Sequence, residues 1–145
     1  MDMQDEVIIA VAGHYDPLHN GHLDSFIKSV KLGNRLLVFV SNDNDAIRKK
    51  GFVCFPQKLR IVIIKKVLEY YKIKGDVVPT LDIDGSQCKT LEYYRPDVFA
   101  KGGDRDKIHM NQDEIKVCER LGITIVYGCG DLLNSSTKIA REQQW

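Results

Sequence analysis

The sequence predicts an α/β protein: a single domain with about five parallel strands and with helices on both faces of the sheet. The first reason is that short apolar segments alternate with longer amphipathic segments along the chain. The second is that no linker rich in Pro, Gly or Ser divides the 145 residues, so one domain is expected over 1–145. The third is the composition, since 43% apolar and 28% charged residues are typical of a folded protein with a core.

The first half of the chain predicts two strands and two helices. Residues 7–12 form a continuous apolar run, which is typical of a strand covered on both faces, and residues 35–40 repeat that pattern. Helix-like spacing lies between them, at about 19–32. Residues 42–50 are polar and predict a loop or a short helix. Residues 55–74 predict a long amphipathic helix, because apolar residues recur there at three- and four-residue steps. These apolar positions are Leu59, Val62, Ile63, Val67 and Tyr70.

The second half predicts three more strands and three more helices. The strands are expected at 76–79, 98–100 and 123–127. The helices are expected at 87–94, at 113–121 and from Ser135 or Ser136 to about Glu142. Pro79 and Pro96 mark the end of a strand and of a helix, and Gly122 closes the helix before it.

Charge and cysteine usage narrow the class of protein. The 21 basic and 20 acidic residues give a net charge of +1, which disfavours binding to nucleic acid or to anionic lipid through bulk charge. No apolar run approaches the roughly 20 residues that cross a bilayer, and the acidic start of the chain is unlike a signal peptide. We therefore expect a cytoplasmic protein without a nucleic-acid or membrane partner. Reduced thiols are expected at Cys54, Cys88, Cys118 and Cys129.

Histidines are concentrated directly after the first strand. Three of the four histidines lie within residues 14–22, and Gly13 and Gly21 flank or interrupt them. His19 and His22 are three residues apart, so one helical turn places both imidazoles on the same side, where they can donate hydrogen bonds to phosphate oxygens. Ligands of parallel α/β sheets bind at such strand ends. Two alternatives stay open: the spacing arises by chance, or the histidines bind zinc, for which the chain offers no third ligand at convincing spacing.

This turn resembles the HxGH signature of the nucleotidyltransferase superfamily, which is often called cytidylyltransferase-like. The run His19-Asn20-Gly21-His22 matches the signature, and Gly13, Tyr15 and Asp16 match the residues that usually precede it. His14 stands where the family usually has a small residue. The resemblance implies a Rossmann-like domain whose first turn binds a nucleotide.

Two more blocks follow later strands in the order that the family has them. Lys101-Gly102-Gly103-Asp104-Arg105 resembles the KGGD segment of sugar-phosphate adenylyltransferases, in particular the heptose-1-phosphate adenylyltransferase domain. The run from Asn134 to Ile139 resembles the closing motif, which implies that Ser135, Ser136 and Thr137 bind the β- and γ-phosphates. The arginine of the cytidylyltransferases' RTxGIST motif is missing, which favours ATP over CTP. Taken alone, the first block is an ordinary surface turn and the second an ordinary helix cap.

A basic stretch lies between these blocks, at 48–60. The family has a phosphate-contacting lysine and a supporting arginine in this region, and Lys50 and Arg60 fit those places best. Taken alone, the stretch is a solvated face.

The resemblance implies a nucleotidyltransferase that joins an NTP to a sugar phosphate or polyol phosphate and releases pyrophosphate. Catalysis would rest on positioning and charge stabilisation, with His19, His22 and Lys50 at the reacting phosphates and Lys101 on the triphosphate or the acceptor. Mg²⁺ is expected to arrive with the nucleotide. Asp16 either orients the turn, helps to hold the metal through water, or caps the following helix. Alternatives are an adenylyltransferase for a cofactor precursor and a regulatory module that binds nucleotide without turnover. Family members are often homodimers, so a homodimer is possible.

Overall fold

Five parallel strands form one sheet in the computed structural model, which describes residues 6–102 and 110–129. The strands are β1 (Ile8–Gly13), β2 (Arg35–Val40), β3 (Gly75–Pro79), β4 (Val98–Ala100) and β5 (Thr124–Val126). They lie side by side in the order β3-β2-β1-β4-β5. The predicted parallel α/β fold is therefore confirmed. Each strand begins and ends within two residues of the positions that the sequence predicts.

The order of the strands creates a crevice at the centre of the sheet. The chain moves outward from β1 to β2 and β3, and then crosses to the other side of β1 for β4 and β5. β1 pairs with β2 from Ile8↔Arg35 to Gly13↔Val40 and with β4 at Ile9↔Val98. In such sheets the loops leave in opposite directions at the reversal, so a crevice opens beyond the carboxyl ends of β1 and β4.

Helices cover both faces of this sheet. Strand side chains alternate, so that Ile9 and Val11 enter one buried cluster and Ala10 enters the other. The helices are α1 (Asn20–Val30), α2 (Asp43–Lys50), α3 (Gln57–Tyr70), α4 (Cys88–Tyr94) and α5 (Gln112–Leu121). The first cluster contains Phe26 of α1 and Ile64 of α3; the second contains side chains of α4 and α5.

One helix decides between two alternatives that the sequence left open, and another is shorter than predicted. The polar segment 42–50 is helical, because the Asn42 side chain accepts a hydrogen bond from the Asp45 N–H at 2.7 Å and Gly51 ends the helix at φ 87°. The long helix ends at Tyr70 rather than at residue 74. Lys72 adopts φ 57°, and the Ile73 N–H bonds to the Leu68 carbonyl, so the chain turns there into β3.

The apolar stripe expected on the long helix is not the face that packs against the sheet. Leu59, Val62 and Tyr70 are 41%, 51% and 78% exposed. The buried residues of α3 are Arg60, Ile64 and Leu68, at steps of four. Arg60 turns the helix to this face, because its guanidinium makes three hydrogen bonds inside the protein, as described below.

Two further expectations concern the thiols and the membrane. Each of the four cysteines is a free thiol, as expected. No helix in the described part of the chain combines the length and the apolar composition that a membrane span needs.

Candidate active site

The turn between β1 and α1 brings the two histidines of the HxGH signature into contact. His19 is the N-cap of α1: its Nδ1 accepts a hydrogen bond from the Gly21 N–H at 3.1 Å. His22 returns the contact, since its Nδ1 accepts from the His19 N–H at 3.2 Å. The pair forms a capping box in which imidazoles replace the usual hydroxyl and carboxyl groups. The two rings stack with centroids 3.7 Å apart. It is therefore His19, and not Asp16, that caps this helix.

These contacts determine where each imidazole carries its proton. A neutral imidazole donates from one ring nitrogen and accepts at the other. Because both Nδ1 atoms accept, the hydrogen of each ring lies on Nε2. Burial lowers the pKa of His22 to about 3, with a smaller contribution from the nearby Lys50 ammonium, and burial also lowers the pKa of His19. Both rings are thus neutral at pH 7 and offer an Nε2–H donor to an anion.

The Tyr15 ring packs between His22 and Phe26. Its ring meets the His22 ring edge-on at 4.8 Å and the Phe26 ring at 5.5 Å. The side chain is buried in the core, and burial raises the pKa of its hydroxyl. Gly13 makes room for it, because a Cβ at position 13 would lie 3.0 Å from the Tyr15 ring. The Tyr15 ring therefore positions His22, and Gly13 is needed for packing.

Hydrogen bonds to the Asp16 side chain connect the turn between β1 and α1 to the loop that follows α2. Its fully buried carboxylate accepts hydrogen bonds from the backbone N–H groups of Cys54 at 2.6 Å and Phe55 at 2.7 Å. Lys50 donates to the same carboxylate at 3.2 Å and to the Asp16 carbonyl at 2.6 Å. With these donors in place, Asp16 orients the site rather than presenting an open carboxylate to a metal.

Arg60 makes buried hydrogen bonds to the same turn and loop. Its guanidinium is 1% exposed and donates to the carbonyls of Phe55 at 2.9 Å and His14 at 2.7 Å, and to the Asp43 carboxylate at 2.6 Å. Asp43 of α2 thereby supplies the acidic partner of this arginine. The supporting role expected for Arg60 agrees with these contacts, which connect the first turn, α2 and α3.

His14 and Lys101 line a cavity of about 400 Å³ at the crevice between β1 and β4. His14 Nδ1 lies 2.5 Å from Ser41 Oγ, and burial lowers the pKa of His14 to about 4, with smaller contributions from Lys49 and Lys50. Lys101 Nζ lies 3.8 Å from a carboxylate oxygen of Glu114 and 4.6 Å from the centre of the Phe99 ring. The cavity therefore adjoins the histidine turn and carries both positive and negative groups.

Several expected binding residues lie outside the described part of the chain. They are Gly103, Asp104 and Arg105 of the second block, and Ser135, Ser136 and Thr137 of the closing block with the helix expected after them. Their roles stay predictions. Within residues 6–102 and 110–129, no group of three or more His, Cys, Asp and Glu side chains is arranged to hold a metal ion.

The cavity residues that the sequence reasoning missed include Ser41, Asp45, Gln87 and Glu114. They come from three separate segments, which only the strand order brings together. One sequence signal was available, since Asn111 and Glu114 are spaced as an N-cap and its third helical residue, which predicts a helix start at this place. The burial of Glu114 had no comparable signal.

Comparison with known proteins agrees with this fold. A family model described as cytidylyltransferase-like matches residues 10–141. The bifunctional protein HldE of Blochmanniella pennsylvanica is 32% identical over 103 residues, which is 68% of this chain and 20% of that protein. The FAD synthase of Thermoplasma volcanium is 27% identical over 138 residues, covering 92% of each chain. The chain thus spans about a fifth of the length of HldE.

A solved structure resembles the whole fold. The crystal structure of a lipopolysaccharide core biosynthesis protein from Thermoplasma volcanium superposes with a TM-score of 0.70 at 26% identity, covering 87% of this chain and 98% of that one. The predicted superfamily and the enzyme class that it implies are confirmed at the level of the family. The chain belongs to the cytidylyltransferase-like family of nucleotidyltransferases.

Proposed function

We propose that this protein transfers a nucleotidyl group from an NTP, with ATP favoured and CTP second, to a sugar phosphate or polyol phosphate and releases pyrophosphate. The observation that carries the proposal is the stacked pair of neutral imidazoles at the start of α1. Both rings hold their hydrogens on Nε2, so two donors are fixed at a helix N-terminus. Such donors bind phosphate oxygens without being consumed in the reaction.

The reaction needs little proton chemistry. An oxygen of the acceptor phosphate attacks the α-phosphorus in line; the new P–O bond forms as the bond to the leaving pyrophosphate breaks. The nucleophile is already an anion, so no strong general base is needed. His19 and His22 donate to the non-bridging oxygens of the α-phosphate, whose charge is redistributed in the transition state. Fixed dipoles and correct positioning are the main sources of rate in such a site.

The cations have distinct places in this scheme. Lys50, held against Asp16, contributes positive charge beside His22, and Lys101 faces the acceptor from the end of β4. Ser135, Ser136 and Thr137 are assigned to the leaving pyrophosphate, and Gly103, Asp104 and Arg105 to the nucleotide, on the motif resemblance alone. Mg²⁺ belongs to the substrate as the metal salt of the nucleotide. No step is assigned to a metal held by the protein, because the Asp16 carboxylate is already engaged by three donors.

Two acceptor classes are supported by different observations. The missing RTxGIST arginine and the resemblance of residues 101–104 to KGGD favour ATP and a sugar phosphate. The FAD synthase relative, which matches over almost its whole length, favours FMN as a second candidate acceptor. Both are adenylyl transfers, so a panel of acceptors separates them.

The test is pyrophosphate release with Mg²⁺, crossing ATP and CTP with glycerol 3-phosphate, a pentitol phosphate, aldose 1-phosphates and FMN. Two variants of His19 sharpen it. Asparagine is a good N-cap and keeps an acceptor for the Gly21 N–H, whereas alanine loses both the cap and the imidazole. We expect His19→Asn and His19→Ala to lose about 10²–10³-fold in kcat alike. Alanine has no donor, and the shorter asparagine, with its oxygen at the Gly21 N–H, does not place its amide donor where the imidazole Nε2–H lies.

The matched variants also separate catalysis from folding. His19→Asn is expected to keep the unfolding free energy of the wild type within about 0.5 kcal/mol, while His19→Ala loses about 1 kcal/mol with the cap. Nucleotide binding without pyrophosphate release for every acceptor would contradict the proposal and favour the regulatory module. Full activity in His19→Asn would remove this imidazole from the mechanism.

Assembly and compartment stay predictions. The exposed apolar side chains of Leu59, Val62 and Tyr70 on α3 are compatible with a homodimer, for which light scattering at several protein concentrations is the direct measurement. A cytoplasmic location is expected from the sequence and is tested by fractionation of the native host.

A further inference from the structure

The cavity beside the histidine turn is lined mainly by polar groups. Its walls come from the ends of β1, β2 and β4, from α2, from the segment before α4 and from the start of α5. Its volume of about 400 Å³ lies in the range of small-molecule sites. Lys49, Lys101 and Glu114 line it, but each has further interactions inside the protein. The groups that can bind a ligand here are therefore those whose hydrogen-bonding atoms are not all occupied.

Asp45 presents a half-occupied carboxylate to this cavity. The residue is 5% exposed and lies in the first turn of α2. One carboxylate oxygen accepts a hydrogen bond from Arg48 Nη2 at 2.6 Å. The same nitrogen donates to the Ile83 carbonyl at 3.1 Å, which holds the carboxylate against the segment before α4. The second oxygen accepts no hydrogen bond from any residue that the structure describes, so it is available to a ligand.

Gln87 presents the complementary group, a donor. The residue is 7% exposed, and its side-chain oxygen accepts a hydrogen bond from Thr80 Oγ1 at 2.9 Å. Its backbone N–H is bonded to Glu114 at 2.9 Å. These two contacts fix the orientation of the amide. The side-chain NH₂ group donates to no acceptor in the described part of the chain, so a ligand can accept from it.

Neither of these atoms is sealed in the core. Among the described residues, Ser29 Oγ is the only fully buried side-chain nitrogen or oxygen without a hydrogen-bond partner. The second Asp45 oxygen and the Gln87 nitrogen are therefore accessible, and both residues line the cavity. Polar groups that the protein holds in one orientation bind a ligand at a small cost in side-chain entropy. Asp45 and Gln87 thus form a preorganised acceptor and donor.

The two groups define the chemistry of the ligand. An ionised carboxylate only accepts hydrogen bonds, and an amide NH₂ only donates them. A hydroxyl group does both, so a ligand with several hydroxyls can satisfy Asp45 and Gln87 together. The imide edge of a flavin also combines a donor with acceptors. Its flat ring system, however, is best bound by aromatic and apolar surface, and the described lining of the cavity contains no Phe, Tyr or Trp.

We propose that this cavity binds the acceptor, and that Asp45 accepts a hydrogen bond from one hydroxyl group of a sugar phosphate or polyol phosphate while Gln87 donates to another. Gly13 and His14 line the same cavity, so the ligand lies at the start of the turn that carries the reacting imidazoles. The inference rests on the proposed function and selects the hydroxyl-rich acceptor over the flavin. Asp45 and Gln87 are specificity-determining residues and take no part in the transfer of the nucleotidyl group.

The experiment uses two matched variants of one ion pair. Asp45→Ala removes the carboxylate from the cavity, whereas Arg48→Ala breaks the same ion pair and leaves the carboxylate in place. Both residues lie in α2, where alanine is the most favourable replacement, so both variants are expected to fold. Each enzyme is assayed with MgATP and four probes: glycerol 3-phosphate, a pentitol 5-phosphate, an aldose 1-phosphate and FMN.

The acceptor KM is the first readout. We expect Asp45→Ala to raise it roughly 10- to 100-fold, the usual loss for a hydrogen bond to a charged group. Gln87→Leu loses a neutral hydrogen bond and should raise it about 2- to 10-fold. The KM for ATP should stay within about twofold in both variants, and the control Glu119→Gln, which removes an exposed carboxylate, should match the wild type. An unchanged acceptor KM in Asp45→Ala overturns the assignment.

Singly deoxygenated analogues of the best acceptor provide the readout that a merely structural role would not move. One such analogue should be a poor acceptor for the wild type and for Arg48→Ala, whereas Asp45→Ala should discriminate it from the parent at least tenfold less. Equal discrimination in the wild type and Asp45→Ala contradicts a hydrogen bond to a hydroxyl. If Asp45→Ala does not fold, Asp45→Asn carries the same comparison, because its oxygen keeps the contact with Arg48 and its NH₂ replaces the charged acceptor.

The outcomes of this experiment distinguish the inference from the function beneath it. Turnover of FMN in preference to every polyol and sugar phosphate contradicts the inference and leaves nucleotidyl transfer standing. Absence of pyrophosphate release with all four probes, with nucleotide bound, contradicts both.

Discussion

Two cavities open at opposite ends of the same sheet, and the smaller one adjoins the histidine turn. The cavity at the amino ends of β1, β2 and β3 has about 840 Å³, and the one at the carboxyl end has about 400 Å³. Aliphatic side chains such as Leu68 and Val77 line the larger cavity, together with Arg35 and Asp76. Those two charges lie 2.7 Å apart and satisfy each other.

The two ends of the sheet differ in the burial and the hydrogen-bond partners of their charged side chains. At the amino end the ion pair is exposed, and exposed pairs contribute little to stability. At the carboxyl end Asp16, Arg60 and Glu114 are buried, and their hydrogen bonds connect residues that are distant in sequence. Buried polar networks cost free energy unless they are fully satisfied, so they indicate a constraint other than stability. Function is therefore expected at the smaller cavity.

The largest expected effect comes from the buried aspartate of the turn. Asp16→Asn removes the charge that Lys50 faces and points an amide at backbone N–H groups of Cys54 or Phe55. Breaking a buried pair in this way should lower the unfolding free energy by about 3–5 kcal/mol, measured by urea denaturation at pH 7. The matched variant at the other end, Asp76→Asn, should lose no more than about 1 kcal/mol. Equal losses would remove the distinction between the two ends.

The next effect separates catalysis from stability at His22. His22 is the third residue of α1, the position where glutamine commonly closes a capping box. His22→Gln should therefore keep the hydrogen bond to the His19 N–H and the unfolding free energy within about 1 kcal/mol. With its amide oxygen so engaged, its amide N–H₂ does not take the position of the imidazole Nε2–H, and kcat for pyrophosphate release should fall about 10²-fold. A wild-type kcat in this variant would show that His22 only caps the helix.

The pH dependence of stability provides a smaller and independent test of the same residue. Burial lowers the pKa of His22 to about 3, whereas the unfolded chain titrates near 6.5, so the unfolded state binds more protons between these values. The unfolding free energy must therefore fall as the pH falls from 6.5 towards 3, by up to about 1.4 kcal/mol per pH unit from this group. His22→Gln should show a shallower fall than the wild type. Parallel curves would mean that the imidazole is charged or solvated in the folded protein.

The strands and the first turn could be predicted from the sequence because their signals are local. Apolar runs mark β1 and β2, and the spacing of His19 and His22 places them together within one turn. The face of α3 could not be predicted, because Arg60 is polar by type and buried by partners from three other segments. Likewise, Glu114 meets Gln87 only after β4 returns to the centre of the sheet. Hydrogen bonds between polar residues that are distant in sequence produce no periodic pattern by which a single sequence could reveal them.

The smallest expected effect tests whether the larger cavity takes no part in ligand binding or catalysis. Ile73 lines that cavity and is partly buried, so Ile73→Val should cost at most about 1 kcal/mol of unfolding free energy. Its kcat and both KM values should stay within about twofold of the wild type, because the described lining of that cavity contains none of the proposed reacting residues. Lys65→Gln, an exposed residue on the same rim, should be equally neutral. A change in the acceptor KM in either variant would assign ligand binding to the amino end and reverse the comparison, since the described linings of the two cavities share no residue.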